Sequence, residues 1–395
     1  MSVHVPTWTT LAVVLLVGGC ATPRPYPPPR LSASARLVEV SAPPSAEAPI
    51  RQVAAGGDCA PPRRPRDVLV LSGGGMYGAY TAGVLKGWTA SGRRPRFDVV
   101  TGVSTGSLIA PFAFLGPDYD AVLERGYITI RPGDLYRLRG PTALLWADSL
   151  ADSEPLRRRV EAQLTPDVVA RVGRAYAEGR RLYVGTTNLD TKSLVVWDLT
   201  AIAAGNDPRK VELFRDVILA SCAIPGLLPP VPITIEVDGH RHSELHVDGG
   251  VSASLFLPPT VFGADAKAEA PAAAGPNVYV IVAGKVKPDS RPVERSFVRV
   301  SGESLTAVLQ ARFEGDLLRV FVHARDAGAG FRLTAVPQEL PLDSNWMALD
   351  GPALRRLFDA GRKFGAGDQA WRTSPPGLGP GDQPPRTGVR FTVTE

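Results

Sequence analysis

The chain has 395 residues, 44% hydrophobic and 21% charged, a composition ordinary for a globular protein and sufficient for one large core-forming domain. Its 44 basic and 39 acidic residues leave a mild net charge of +5, and no basic array with interleaved aromatics points to nucleic acid. The three cysteines, Cys20, Cys59 and Cys222, have no histidine or cysteine at metal-ligand spacing, and no acidic loop suggests calcium. No metal and no cofactor is expected.

In chain order, the first feature is the apolar run Leu11–Val17, followed by Gly18-Gly19-Cys20. A membrane-spanning helix needs about 20 apolar residues. This run is shorter and suits a signal-peptide core with small residues at the cleavage point. The segment Leu16-Val17-Gly18-Gly19-Cys20 resembles a bacterial lipoprotein processing site, although no Lys or Arg precedes Leu11. That resemblance implies cleavage after residue 19, acylation of Cys20 and a membrane contact through that anchor. With Ala21 next, it implies the outer membrane of the cell envelope, facing the periplasm. Residues 20–66 then read as anchor and Pro-rich tether, with Pro23, Pro25, Pro27, Pro28 and Pro29 favouring extended segments. In an oxidising compartment Cys59 and Cys222 have the option of pairing; a free thiol is the equal alternative.

The folded domain is expected over residues 67–365. Asp67–Ser72 reads as a strand, Gly73-Gly74-Gly75 as a bare-backbone loop, and Met76–Leu85 as a helix by its spacing. A strand, glycine loop and helix make a pocket of N–H donors suited to a developing oxyanion. The same run fits G-x-G-x-x-G through Gly73, Gly75 and Gly78, but the acidic partner a dinucleotide needs is poorly placed, since Asp98 begins its strand. Phe97–Val100 is the next strand, and Gly102-Val103-Ser104-Thr105-Gly106 follows it before an apolar helix. A serine at a tight strand-to-helix turn, flanked by Gly102 and Gly106, is pushed out of the backbone at a helix N-terminus. That is the position of a nucleophile.

Further on, helices are expected over Glu154–Leu164, Pro166–Glu178, Val211–Ala220, Val300–Val322 and Met347–Phe364. Strands are expected over Arg181–Thr186, Ser193–Trp197, Ile233–Val237 and Val278–Val282, with a short extended run ending at Asp248. Arg157-Arg158-Arg159 reads as a solvated helix face. Leu135, Leu138, Leu144, Leu145, Trp146 and Leu150 read chiefly as core, with an acyl pocket or lid as the alternative. Gly263–Asn277 is an Ala-rich inserted loop, and residues 366–395 form a Gly/Pro-rich tail in which Arg390–Val393 has the look of a last strand. The alternation predicts a three-layer α/β/α fold around a mainly parallel sheet.

Four motifs in order carry a resemblance to the patatin-like phospholipase family: Gly73–Gly78, Gly102–Gly106, Ala220–Pro230 and Asp248-Gly249-Gly250. The resemblance implies a hydrolase acting on phospholipids or other lipid esters through a Ser104–Asp248 dyad. The N–H groups of Gly73, Gly74, Gly75 and Thr105 would hold the oxyanion. Two alternatives stay open here. His323 alone follows Asp248 in the order Ser, Asp, His of a triad esterase. A catalytically silent envelope scaffold is the other.

Overall fold

Alternation of side chains along a strand divides the molecule into its layers. In the computed structural model, Val68 and Val70 point into one core, while Leu69 and Leu71, between and after them, point into another on the opposite face. The structure describes residues 50–51, 65–140, 142, 147–237, 240–262, 275–290, 292–342, 350–367 and 371–379. The signal segment, Cys20, Cys59, Leu144, Leu145, Trp146 and Arg390–Val393 lie outside the described residues.

The chain begins with β1 (Ile50–Arg51), β2 (Asp67–Leu71), α1 (Gly78–Ala90), β3 (Val99–Gly102), α2 (Thr105–Leu115) and α3 (Asp120–Ile128). A small antiparallel pair, β4 (Arg137–Leu138) and β5 (Ala151–Asp152), precedes α4 (Glu154–Gln163) and α5 (Pro166–Ala177). Then come β6 (Arg181–Asn188), β7 (Ser193–Asp198), α6 (Leu199–Ala204), α7 (Lys210–Ser221), β8 (Val231–Val237) and β9 (His240–Asp248). The last elements are β10 (Asn277–Val282), α8 (Phe297–Asp326), β11 (Gly330–Ala335) and α9 (Gly351–Ala366).

Nine of the described strands form one sheet, in the order β1-β7-β6-β3-β2-β10-β11, with β9 on β6 and β8 on β9. The run from β6 to β11 is parallel throughout. β7 and β9 are antiparallel to β6, so the sheet is mixed but mostly parallel. One face is covered by helices including α1, α2, α7 and α9. The other is covered by α8 from Phe313 onward and by the segment Ala253–Phe262. The first half of α8 leaves Phe297, Val300, Leu305 and Val308 exposed, so only its second half is core. The three-layer expectation holds, but the sheet extends into the segment read as tether: β1 (Ile50–Arg51), ahead of the expected start at residue 67, pairs in parallel with β7. The reading did not anticipate α3 or β11, and β9 is nine residues long where a short run was expected.

The α1–α9 contact is a close approach of two backbones. A Cβ on Gly83 or Gly87 would lie 2.0 or 2.1 Å from a carbonyl oxygen of α9. A Cβ on Gly361 or Gly365 would lie 2.2 Å from a carbonyl oxygen of α1. This reciprocal set of glycines holds α1, and so the glycine loop at its N-terminus, against the domain.

The sheet also explains how residues 144 positions apart meet. β3 and β9 lie on the same edge of β6, one after the other. Gly102 at the end of β3 pairs with Val184, and Asp248 at the end of β9 pairs with Thr186. Because β3 runs parallel to β6 and β9 antiparallel, their C-terminal ends converge across Gly185.

Candidate active site

Ser104 lies two residues after the end of β3 and caps α2 with φ 53° and ψ −125°. A left-handed φ at a non-glycine residue costs about 1–3 kcal/mol and persists only where neighbours enforce it. Here they do. The Ser104 N–H donates to Ser221 Oγ at 3.0 Å, and Ser221 Oγ donates to Gly185 O at 2.7 Å. The Ser104 carbonyl accepts from Ser107 Oγ at 2.6 Å and from the Cys222 thiol at 3.2 Å. The flanking glycines are required by space: a Cβ on Gly102 would sit 2.6 Å from Gly106 O, and one on Gly106 2.6 Å from Leu71 O.

The strained turn aims Ser104 Oγ at Asp248, to which it donates a hydrogen bond of 2.6 Å at Oδ2. Asp248 Oδ1 accepts from the Gly250 N–H at 2.7 Å, so both carboxylate oxygens are occupied. Burial pushes the Asp248 carboxyl up to about 6, against the opposing effect of its bonds from Ser104 and Gly250. A carboxylate of that basicity is a better proton acceptor for a hydroxyl than an exposed one.

The glycine loop reaches the same point. A Cβ on Gly73 would lie 3.3 Å from Ser104 Cβ, so the loop packs directly on the serine. Gly74 and Gly75 have φ of 154° and 57°, and Gly75 lines the cavity at Ser104. Among the described residues, the N–H groups of Gly74, Gly75 and Thr105 have no protein acceptor, as expected for a loop and for the first turn of a helix. Gly73 differs. Its N–H donates to Ser254 O at 3.0 Å, which removes it from the expected set of oxyanion donors; its backbone is used to anchor the loop.

Residues 69–261 match the family model for patatin-like phospholipase. The chain carries a patatin-like phospholipase domain. At family level this is the domain of a lipid hydrolase, and the mostly parallel mixed sheet with helices on both sides is the patatin fold. Two solved structures are similar to the chain. VipD from Legionella pneumophila is 11% identical, with 82% of this chain and 73% of that chain covered and a TM-score of 0.28. The type III effector protein ExoU is 12% identical, with 78% and 53% covered and a TM-score of 0.36. No curated protein matches the chain.

In the patatin-like domain Ser104 opens into a largely apolar cavity. Met76 and Thr105 line it beside the serine, with Leu108 and Phe112 from α2, Val122, Leu123 and Tyr127 from α3, and Leu156 and Val160 from α4. Leu135 lines it too while packing against the core, so this residue serves both the core and the cavity wall. Leu138 and Leu150 are 68% and 47% exposed, which overturns the core reading for both: they sit on or beside the small β4–β5 pair, outside the packed layers.

The Arg157–Arg159 face is not uniformly solvated. Arg158 is exposed, but Arg157 donates to Asp216 at 2.9 Å, and Arg159 lines the cavity and donates to Gly126 O. Sequence reading missed Arg159, Tyr127 and Gly126 as site residues. Their spacing matches an ordinary amphipathic helix, and only the packing of α3 on α4 shows which face is lined.

The histidines lie elsewhere. His323 Nδ1 bonds Leu257 O at 3.1 Å, on the side of the sheet covered by α8. His246 is buried on β9, bonded to Thr186 Oγ1 at 2.9 Å and Glu244 Oε2 at 3.1 Å. Among the described residues, the hydrogen-bond partners of Asp248 and of Ser104 Oγ do not include either histidine. Cys222 is a buried free thiol beneath the serine, and burial pushes its pKa upward, away from reactivity.

Proposed function

We propose that the chain is a serine acyl hydrolase acting on phospholipids or related lipid esters, with Ser104 as nucleophile and Asp248 as the general base and acid. The observation that carries this reading is the 2.6 Å hydrogen bond from Ser104 Oγ to a buried carboxylate, made at a strained turn beside a loop of unpaired N–H donors. Ser104 Oγ attacks the ester carbonyl carbon while its proton passes to Asp248 Oδ2. The N–H groups of Gly74, Gly75 and Thr105 hold the oxyanion; one such donor is typically worth about two to three orders of magnitude in rate. Collapse breaks the bond to the leaving alkoxide, which takes the proton from Asp248. Water then attacks the acyl-serine, giving its proton to Asp248, and the departing Ser104 oxygen recovers it. The acyl chain lies along the apolar cavity.

The test is hydrolysis of a phospholipid and acyl-ester panel, with Ser104→Ala alongside. The expected result is loss of at least about a thousandfold with the fold intact, together with loss of labelling by a fluorophosphonate. Full activity in the folded variant overturns the reading.

The same proposal places the enzyme at a membrane through an acylated Cys20, on the strength of Leu11–Val17 and Gly18-Gly19-Cys20. No helix among the described residues is long and apolar enough to cross a membrane.

A further inference from the structure

We propose that Arg159, with Gln163 beside it, forms the inner wall of the acyl cavity and sets the acyl-chain length that the site prefers, favouring the shorter chains. The inference rests on the serine hydrolase reading above and names the substrate class of that site.

Two spaces meet at this wall. The one that contains Ser104 is about 90 Å³, room for roughly six to nine water- or methylene-sized groups at about 10–15 Å³ each. The second is a groove of about 420 Å³ that does not reach Ser104. They share the lining residues Phe112, Val122, Gly126, Arg159 and Gln163. Those shared side chains separate the two spaces. Beyond them the lining changes from apolar to polar, with Arg125, Thr129 and Thr165 facing only the outer groove.

Arg159 is held in the wall. It lies on α4 one turn before Gln163, and its Nη2 donates to Gly126 O, a carbonyl near the C-terminal end of α3 that helix geometry leaves free to accept. The ends of the Arg159 and Gln163 side chains reach across to α3 at Gly126. A Cβ there would lie 3.4 Å from Arg159 Nη2 and 3.8 Å from Gln163 Nε2. An acyl chain of up to about eight carbons fits the inner space without disturbing this arrangement. A longer chain following the same path must displace the guanidinium from Gly126 O and bring methylene groups against it, which is unfavourable for both. With Arg159 truncated, the inner space joins the larger groove.

The experiment compares kcat/KM for p-nitrophenyl esters from butyrate to palmitate in the full chain and its variants. Wild type is expected to favour the short esters. Arg159→Ala is expected to raise the palmitate-to-butyrate ratio by about tenfold or more, the scale of small volume changes in an apolar pocket. Arg159→Met, which keeps the volume, is expected to stay near wild type. A ratio within one enzyme is insensitive to overall loss of active protein. An unchanged ratio in Arg159→Ala, or a shift as large in Arg159→Met, overturns the proposal. Binding of hexanoic and hexadecanoic acids by Ser104→Ala, with and without Arg159→Ala, repeats the comparison without turnover. A wild type that hydrolyses no ester overturns the hydrolase reading alone, while the binding series still judges Arg159.

Discussion

Asp248 has two consequences that differ in sign. The carboxylate acts as base only when ionised, and burial raises its pKa to about 6. The kcat/KM profile should therefore fall on the acid side with a limb near pH 6 and flatten above it. A limb near pH 4 would show that the carboxyl is not desolvated in the free enzyme. Stability runs the other way. In the unfolded chain the group titrates near 3.8, so the stabilising effect of the protonated form is intact below that pH and lost as pH rises through about 6. The cost at pH 8 is at most about 3 kcal/mol, at about 1.4 kcal/mol per pH unit. Asp248→Asn should abolish hydrolysis and yet melt higher than wild type at pH 8, with the difference shrinking toward pH 4. A thermal melt at both pH values checks it. His323→Ala should keep hydrolysis within severalfold of wild type, because His323 is tied to Leu257 O on the other face of the sheet.

At the scale of elements, the glycine loop depends on how α1 is seated. Gly361→Val places a side chain where Tyr80 O already lies, 2.2 Å from the new Cβ. The two helices must separate, at a cost of about 3 kcal/mol. Because α1 begins at Gly78, directly after the 3-10 turn Gly75–Tyr77, hydrolysis should fall with stability even though α9 contributes nothing to the cavity lining. Arg355→Ala, on an exposed position of the same helix, should change stability by less than about 0.5 kcal/mol. Urea unfolding of both variants, with an ester assay, separates the two outcomes. An unperturbed Gly361→Val would mean that the helices are not in backbone contact.

At the scale of the whole molecule, the segment between the proposed anchor and the candidate site adds only the edge strand β1 to the described sheet. Every residue of the candidate site lies between Gly73 and Asp248, beyond the Pro-rich segment. The chain from Arg66 onward, which loses only the two-residue edge strand β1, should therefore be soluble and active when made alone. In the full chain, Cys20→Ser should block lipid attachment and release the protein from membranes, since stable anchoring requires more than one acyl chain. Mass spectrometry of the native N-terminus decides this: an unmodified Cys20 within an intact chain beginning at Met1 ends the anchor proposal and leaves the hydrolase proposal standing.

The sequence by itself determined the strand-turn-helix units, because period-two and helical apolar patterns and glycine punctuation are local properties. Asp67–Leu71 with its glycines, and β3 with Ser104, were legible for that reason, as was the three-layer architecture that such alternation imposes. Asp248 was legible only through resemblance, since an aspartate before two glycines is by itself an ordinary turn. What the tertiary structure decided is everything that depends on which elements share an edge. The register of β3 and β9 on β6 brings Ser104 to Asp248. The same long-range packing ties up the Gly73 N–H at Ser254, sends His323 to the opposite face, and turns one arginine of three on α4 inward. None of these has a signature along the chain, because each is a contact between segments whose separation only the folded sheet and its two helical layers remove.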